Sequence, residues 1–202
     1  FIPLAEKSGA IHAIGGFVLE EVVKFIASDD FKQLGVDYIE INLSVMQCLR
    51  SNLADDIIDL TRKYKVPPSK INLEITETAS GYSQSKLNTN ITKLTENGFT
   101  VSLDDFGTGY SNLMRIAQLP LNIVKLDRAF VLMEESGGNH IIIKNLIRML
   151  KDMNLRVLVE GIETEEMVES FTQMGVDEIQ GFYYSRPLTK SAYLRFLKEN
   201  GA

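Results

Sequence analysis

Apolar residues recur at helical spacing over residues 11–26, where Ile14, Phe17, Val18, Val22 and Phe25 share one side, and this predicts an amphipathic helix. The period then shortens to two. Residues 37–44 alternate apolar and polar, which predicts a strand with Asn42 near its tip. The same alternation of helical and extended patterns continues along the chain. Helices are expected at 52–65, 84–97, 111–117, 139–153, 165–174 and 189–199, the last capped by Thr189 or Ser191. Strands are expected at 71–77, 100–103, 121–127, 155–161 and 178–180, and Pro67-Pro68 breaks the chain before the first of these.

Six strands alternating with helices through short connections are the signature of parallel βα units in one domain. The polar residues help to choose between an open sheet and a barrel. Asn42, Glu74, Asp104, Lys125, Glu160 and Gln180 all fall at or near C-terminal strand tips. A (β/α)8 barrel builds its site from many strand ends in this way, whereas an open sheet concentrates it at one switch point. The expected fold is therefore α/β, a TIM-like (β/α)8 barrel that is incomplete, with about six βα units. A full barrel takes about 250 residues, so two strands are expected upstream of Phe1, where the chain reads as a fragment of a larger protein.

At 202 residues and 45% hydrophobic content the chain can bury a sizeable core. A net charge of −6 argues against a DNA or RNA polymer or an anionic membrane surface as partner. No apolar run is long enough for a membrane segment. The one cysteine, Cys48, has no base nearby in sequence and is expected to be inert, in a reducing cytoplasm.

The chemistry centres on residues 101–110, a short apolar strand running into Asp104-Asp105 and then Phe106-Gly107-Thr108-Gly109-Tyr110. Neighbouring side chains on a strand face opposite ways, so the two aspartates are placed where the strand ends. Taken alone, such a pair before a glycine also fits a plain polar turn. Convergence of the strand tips would gather Glu74, Asp104, Asp105 and Glu160, with Asp127 and Glu163 near, against little more than Lys125. So many carboxylates raise one another's pKa unless a cation joins them. The candidate ligands are carboxylates and an amide, which suits Mg²⁺ or Mn²⁺, two ions, better than zinc. Paired hard ions commonly serve phosphodiester hydrolysis. Lys125 fits either a role beside the attacked phosphate or a salt bridge inside the barrel. His12 and His140 fall within helices and are read as surface or capping groups. Residues 134–138 read as a solvated loop, and the methionine-containing stretch 146–153 as core.

Phe1-Ile2-Pro3-Leu4-Ala5-Glu6, Asn42-Leu43-Ser44, Glu74-Ile75-Thr76-Glu77, residues 104–110, Lys125-Leu126-Asp127, Glu160-Gly161-Ile162-Glu163, Gln180-Gly181 and Arg186-Pro187 occur in an order that resembles the EAL domain family. These are bacterial phosphodiesterases that open cyclic di-GMP to linear pGpG. The resemblance spans 1–202 as an N-terminally truncated EAL-type phosphodiesterase domain, because the Glu-Ala-Leu signature would lie upstream of Phe1. It implies Asn42, Glu74 and Asp104 as ligands of one metal, and Asp104, Asp105 and Glu160 as ligands of a second. It places Lys125 at the attacking water, Gln180 in the hydrogen-bond network and Glu163 in support. Asp105 and Asp127 would contact substrate, and Glu77 would steady the Asp-Asp-Phe-Gly loop near a homodimer contact. A diguanylate cyclase-like or sensory domain upstream is a further implied partner. Two other readings stand beside it: a catalytically inactive cyclic di-GMP receptor or regulatory dimerisation domain, and an unrelated magnesium-dependent barrel enzyme.

Overall fold

The computed structural model describes residues 1–76, 84–107, 116–137 and 140–200. It divides into two compact units, Phe1–Val101 with Leu188–Ala202, and Ser102–Pro187.

The first unit opens with α1 (Ile2–Ser8), α2 (Ile11–Ala27) and α3 (Asp29–Lys32). The strand β1 (Ile39–Leu43) follows, then α4 (Val45–Cys48) and α5 (Leu53–Tyr64). A 3-10 turn at Pro68–Lys70 leads into β2 (Ile71–Thr76), and α6 (Gln84–Glu96) comes next. Strands β1 and β2 are parallel, in a register that sets Ile39 against Ile71, Glu40 against Asn72 and Asn42 against Glu74. Both faces of β2 are buried, but differently. Ile71, Leu73 and Ile75 form an apolar face, while Asn72 and Glu74, 0% and 4% exposed, share the other with Glu40 and Asn42. Burial of a polar side chain requires partners, and Asn72 Nδ2 donates to Glu40 Oε1 at 2.8 Å.

Short polar groups shape the connections. Ser44 and Gln47 form a reciprocal capping box at the start of α4, with Gln47 N–H donating to Ser44 Oγ and Ser44 N–H to Gln47 Oε1. A Cβ at Gly15 would fall on the Gln47 side chain, so only glycine lets α2 approach that cap. Buried Asn90 on α6 donates to the carbonyls of Cys48 and Arg50 and accepts from Ala54 N–H, which pins the turn between α4 and α5.

β3 (Thr100–Phe106) carries the chain into the second unit, where β4 (Ile123–Leu126), α7 (Arg128–Glu135) and α8 (His140–Asp152) follow. Then come β5 (Arg156–Val159), α9 (Glu165–Met174) and β6 (Glu178–Ile179). The strands β3, β4, β5 and β6 are neighbours in that order and parallel throughout. Ile143, Ile147 and Leu150 form the buried stripe of α8 at helical spacing, each worth about 1.5–3 kcal/mol of burial. The last helix, α10 (Lys190–Glu199), belongs to the first unit and is capped by Thr189, whose Oγ1 accepts from Ala192 N–H.

Six strands alternating with helices among the described residues, parallel within each unit, make this the α/β chain of βα repeats that the sequence pattern predicts. Details of the helices differ from the sequence reading. α1, α3, α4 and α7 are additional, each of eight residues or fewer and too short for a periodic pattern to show. Glu134 and Glu135 end α7 instead of lying in a solvated loop, because Glu134 is held by the His140 ring at 2.9 Å and Ser170 Oγ at 3.1 Å. The helix expected at 111–117 falls for the most part outside the described residues.

Candidate metal centre

β3 does not end at Leu103; it continues to Phe106 through a bulge. Its register with β4 runs Ser102 to Ile123 and Leu103 to Val124, then slips so that Phe106 faces Leu126. The bulge answers the problem of two adjacent aspartates, since an inserted residue bends the strand and re-aims its side chains. Asp105 takes φ 56°, a left-handed conformation that aspartate tolerates better than most residues. One carboxylate oxygen each of Asp104, Asp105 and Glu160 then lies within 4.8 Å of the others.

Lys125 comes to this group from β4, on the strand face it shares with Ile123. Its ammonium is 3% exposed and lies 2.8 Å from Glu160 Oε1 and 3.7 Å from Asp104 Oδ1. The second distance is too long for a hydrogen bond, and Asp104 Oδ1 is a buried oxygen with no hydrogen-bond partner. A buried anionic oxygen in that state accepts a cation. Burial pushes the Glu160 carboxyl above its ordinary range, Lys125 pulls it back, and Asp104 and Asp105 push it up again. Asp105 is raised for the same first reason, with Asp104 and Asp127 adding to it. Three oxygen donors, a buried acceptor without a partner and carboxylates that resist charging one another fit a hard divalent cation.

Glu160 follows β5 directly, and backbone bonds hold its turn. Glu160 N–H donates to the Leu126 carbonyl, and Ile162 N–H to that of Gln180. Tyr183 N–H donates to the Ile162 carbonyl, while Gln180 N–H bonds back to Val159. The Gln180 side chain is exposed at this edge. A Cβ on Gly181 would fall on the Ile162 carbonyl oxygen. Glu163 pairs with Arg128 at 2.9 Å. Asp127 caps α7, its Oδ1 accepting from Ala129 N–H at 2.8 Å.

Of the residues singled out from the sequence, the second unit brings together Asp104, Asp105, Lys125 and Glu160, with Asp127, Glu163 and Gln180 on the adjoining turns. The first unit sets Asn42 and Glu74 side by side across the β1–β2 register. Glu77 and the loop beyond Gly107 lie outside the described residues. Sequence reasoning passed over Arg128 and Phe130 because α7 was not expected. The signal was present in Asp127, a capping residue immediately before a helical stretch with buried Val131.

A family model for the EAL domain matches residues 1–187. The bifunctional diguanylate cyclase/cyclic di-GMP phosphodiesterase MucR of Pseudomonas aeruginosa is 32% identical over 195 residues, which cover 93% of this chain and 28% of MucR. The probable cyclic di-GMP phosphodiesterase PdeB of Escherichia coli is 32% identical over 201 residues, covering 99% of this chain and 38% of PdeB. This chain thus spans well under half the length of these relatives. A solved structure of the MucR phosphodiesterase in complex with c-di-GMP superposes with a TM-score of 0.85 at 31% identity, covering 96% of this chain and 78% of that one.

Proposed function

The chain belongs to the EAL domain family, and we propose that it carries out metal-dependent hydrolysis of cyclic di-GMP to linear pGpG. The observation that carries this reading is the group of Asp104, Asp105 and Glu160, with the buried oxygen of Asp104 that has no hydrogen-bond partner. The names of MucR and PdeB support the substrate. Mg²⁺ or Mn²⁺ is the proposed cofactor, as two ions, with Asn42 and Glu74 as ligands in the first unit and Asp104, Asp105 and Glu160 in the second. Such ions would supply Lewis-acid polarisation of a phosphoryl oxygen and offset the charge developing on it. Lys125 holds the Glu160 carboxylate in place and adds a fixed positive charge beside the phosphodiester. Asp105, exposed at the open side of the group, and Asp127 are proposed to meet substrate. Gln180 and Glu163 shape the turn that carries Glu160. A second copy of the chain, an upstream cyclase-like or sensory domain and a cytoplasmic location complete the reading. Among the described residues no helix is long and apolar enough to cross a membrane.

The test is to incubate the purified protein with cyclic di-GMP and Mn²⁺ and to separate cyclic from linear dinucleotide by anion exchange. Linear product that disappears with chelator is the expected result. Intact ligand, with binding still seen by calorimetry, would make the protein a receptor and overturn the enzymatic reading.

A further inference from the structure

Both turns that bear the carboxylate group rest on Asp127, Arg128 and Phe130 at the start of α7. On one side, Asp127 N–H donates to the Phe106 carbonyl at 3.3 Å, next to the bulge. The buried Phe106 ring lies parallel to the Phe130 ring, 3° apart in plane with centroids at 6.3 Å. Gly107 has φ 104°, and a Cβ there would fall on the Phe130 ring, so the ring occupies the notch that the glycine leaves open. On the other side, Gly161 has φ 77°, and a Cβ there would come within 2.6 Å of Arg128 Cγ. The Arg128 guanidinium reaches on to Glu163 at 2.9 Å. Asp127 caps the same helix turn and thereby fixes where Arg128 and Phe130 point.

We infer that Phe130 and Arg128 are positioning residues: Phe130 seats the Asp104-Asp105 bulge, Arg128 seats the Glu160 turn, and together they set the spacing of the metal ligands. The inference rests on the metal reading above. Neither side chain donates to the metal. What they supply is restraint on a bulge whose Asp105 sits at φ 56°, a conformation the chain keeps only where its surroundings over-determine it. Outer partners of metal ligands typically matter by roughly 10–100-fold in metal affinity.

The experiment is a calorimetric Mn²⁺ titration of the wild-type protein, Phe130→Ala, Phe130→Leu, Phe130→Tyr and Arg128→Ala, with a thermal melt of each in chelator. Phe130→Ala and Phe130→Leu are expected to weaken Mn²⁺ binding by about 10-fold or more, Arg128→Ala to weaken it, and Phe130→Tyr, which keeps the flat ring, to retain it. The leucine variant fills most of the space, so it reports on ring seating even where the alanine variant folds poorly. Variants that melt lower yet bind Mn²⁺ with wild-type affinity would show packing alone and overturn the inference. Absence of Mn²⁺ uptake by the wild-type protein would overturn the metal reading itself, which the titration of that protein alone reveals.

Discussion

Lys125 Nζ lies 2.8 Å from Glu160 Oε1 with only 3% of the lysine side chain exposed. The lysine is removed from water while Glu160 keeps 21% of its side chain exposed, so taking the lysine away costs less than the roughly 3–5 kcal/mol of a fully buried pair, about 1–3 kcal/mol. Lys125→Met is therefore expected to destabilise the chelated protein by that order. It is also expected to make stability more dependent on metal, because a divalent cation takes over the charge the ammonium supplied. Thermal melts in chelator and in Mn²⁺ check this. Equal metal-induced shifts in Lys125→Met and wild type would show that lysine and metal do not serve the same carboxylates.

The substitution Asp104→Asn separates metal binding from folding. The amide keeps the volume and removes one negative charge from beside Asp105 and Glu160, whose carboxyls are both pushed up in part by Asp104. In chelator the variant is expected to melt at or above the wild-type temperature. In Mn²⁺ the wild type gains stability and the variant does not, and linear dinucleotide is no longer produced. A variant that turned over cyclic di-GMP at the normal rate would remove Asp104 from the metal centre.

Much of the polar face in each unit was legible in the sequence because strands write their faces with a period of two. Glu40, Asn42, Asn72 and Glu74 alternate with isoleucines and leucines, and the register shows that they line one face. Glu160 and Gln180 each fall one residue past a strand, where the sequence pattern had carried the strands through them to 161 and 180. The Asp104-Asp105 pair was only half legible. Alternation placed both at a strand end, whereas the bulge leaves them inside β3 with Asp105 turned by its own backbone. The Asp127 cap marked the helix that carries Arg128 and Phe130, but the contacts of these two residues were not legible. Their roles come from contact with Gly161 and Gly107, a relation between residues far apart in sequence that no local period encodes.

Burial makes Cys48 a reporter for the first unit. Its thiol is 1% exposed, and loss of water around the thiolate pushes its pKa up to about 12. At pH 8 only about one molecule in ten thousand would carry the thiolate, so iodoacetamide should leave the folded protein unlabelled and label it fully in denaturant. Asn90 holds the Cys48 carbonyl through Nδ2 at 2.9 Å and reaches Arg50 and Ala54 from the same amide. Asn90→Ala leaves those backbone groups without their buried partner, about 1–3 kcal/mol for each one unsatisfied. Labelling of Cys48 in that variant is expected to accelerate, while its Mn²⁺ affinity stays unchanged. Mass spectrometry of timed samples reads the first, and calorimetry the second. Rapid labelling of the folded wild type would show that the thiol is not shielded as described.

Gly181→Ala tests whether the turn bearing Glu160 is braced from β6. The added methyl would fall on the Ile162 carbonyl oxygen, which is part of the backbone and cannot rotate away. That carbonyl already accepts from Tyr183 N–H at 3.0 Å, and Ile162 N–H donates to Gln180 at 3.2 Å, so the two turns shift together or separate. Overpacking of this kind costs about 1–3 kcal/mol. Because Ile162 lies two residues past Glu160, the shift is expected to reach the carboxylate group. Mn²⁺ affinity should fall in Gly181→Ala but not in a control such as Gly16→Ala, where a Cβ meets nothing within 4 Å. If Gly181→Ala lost stability but bound Mn²⁺ as the wild type does, Glu160 would be positioned by Lys125 and Arg128 without help from β6.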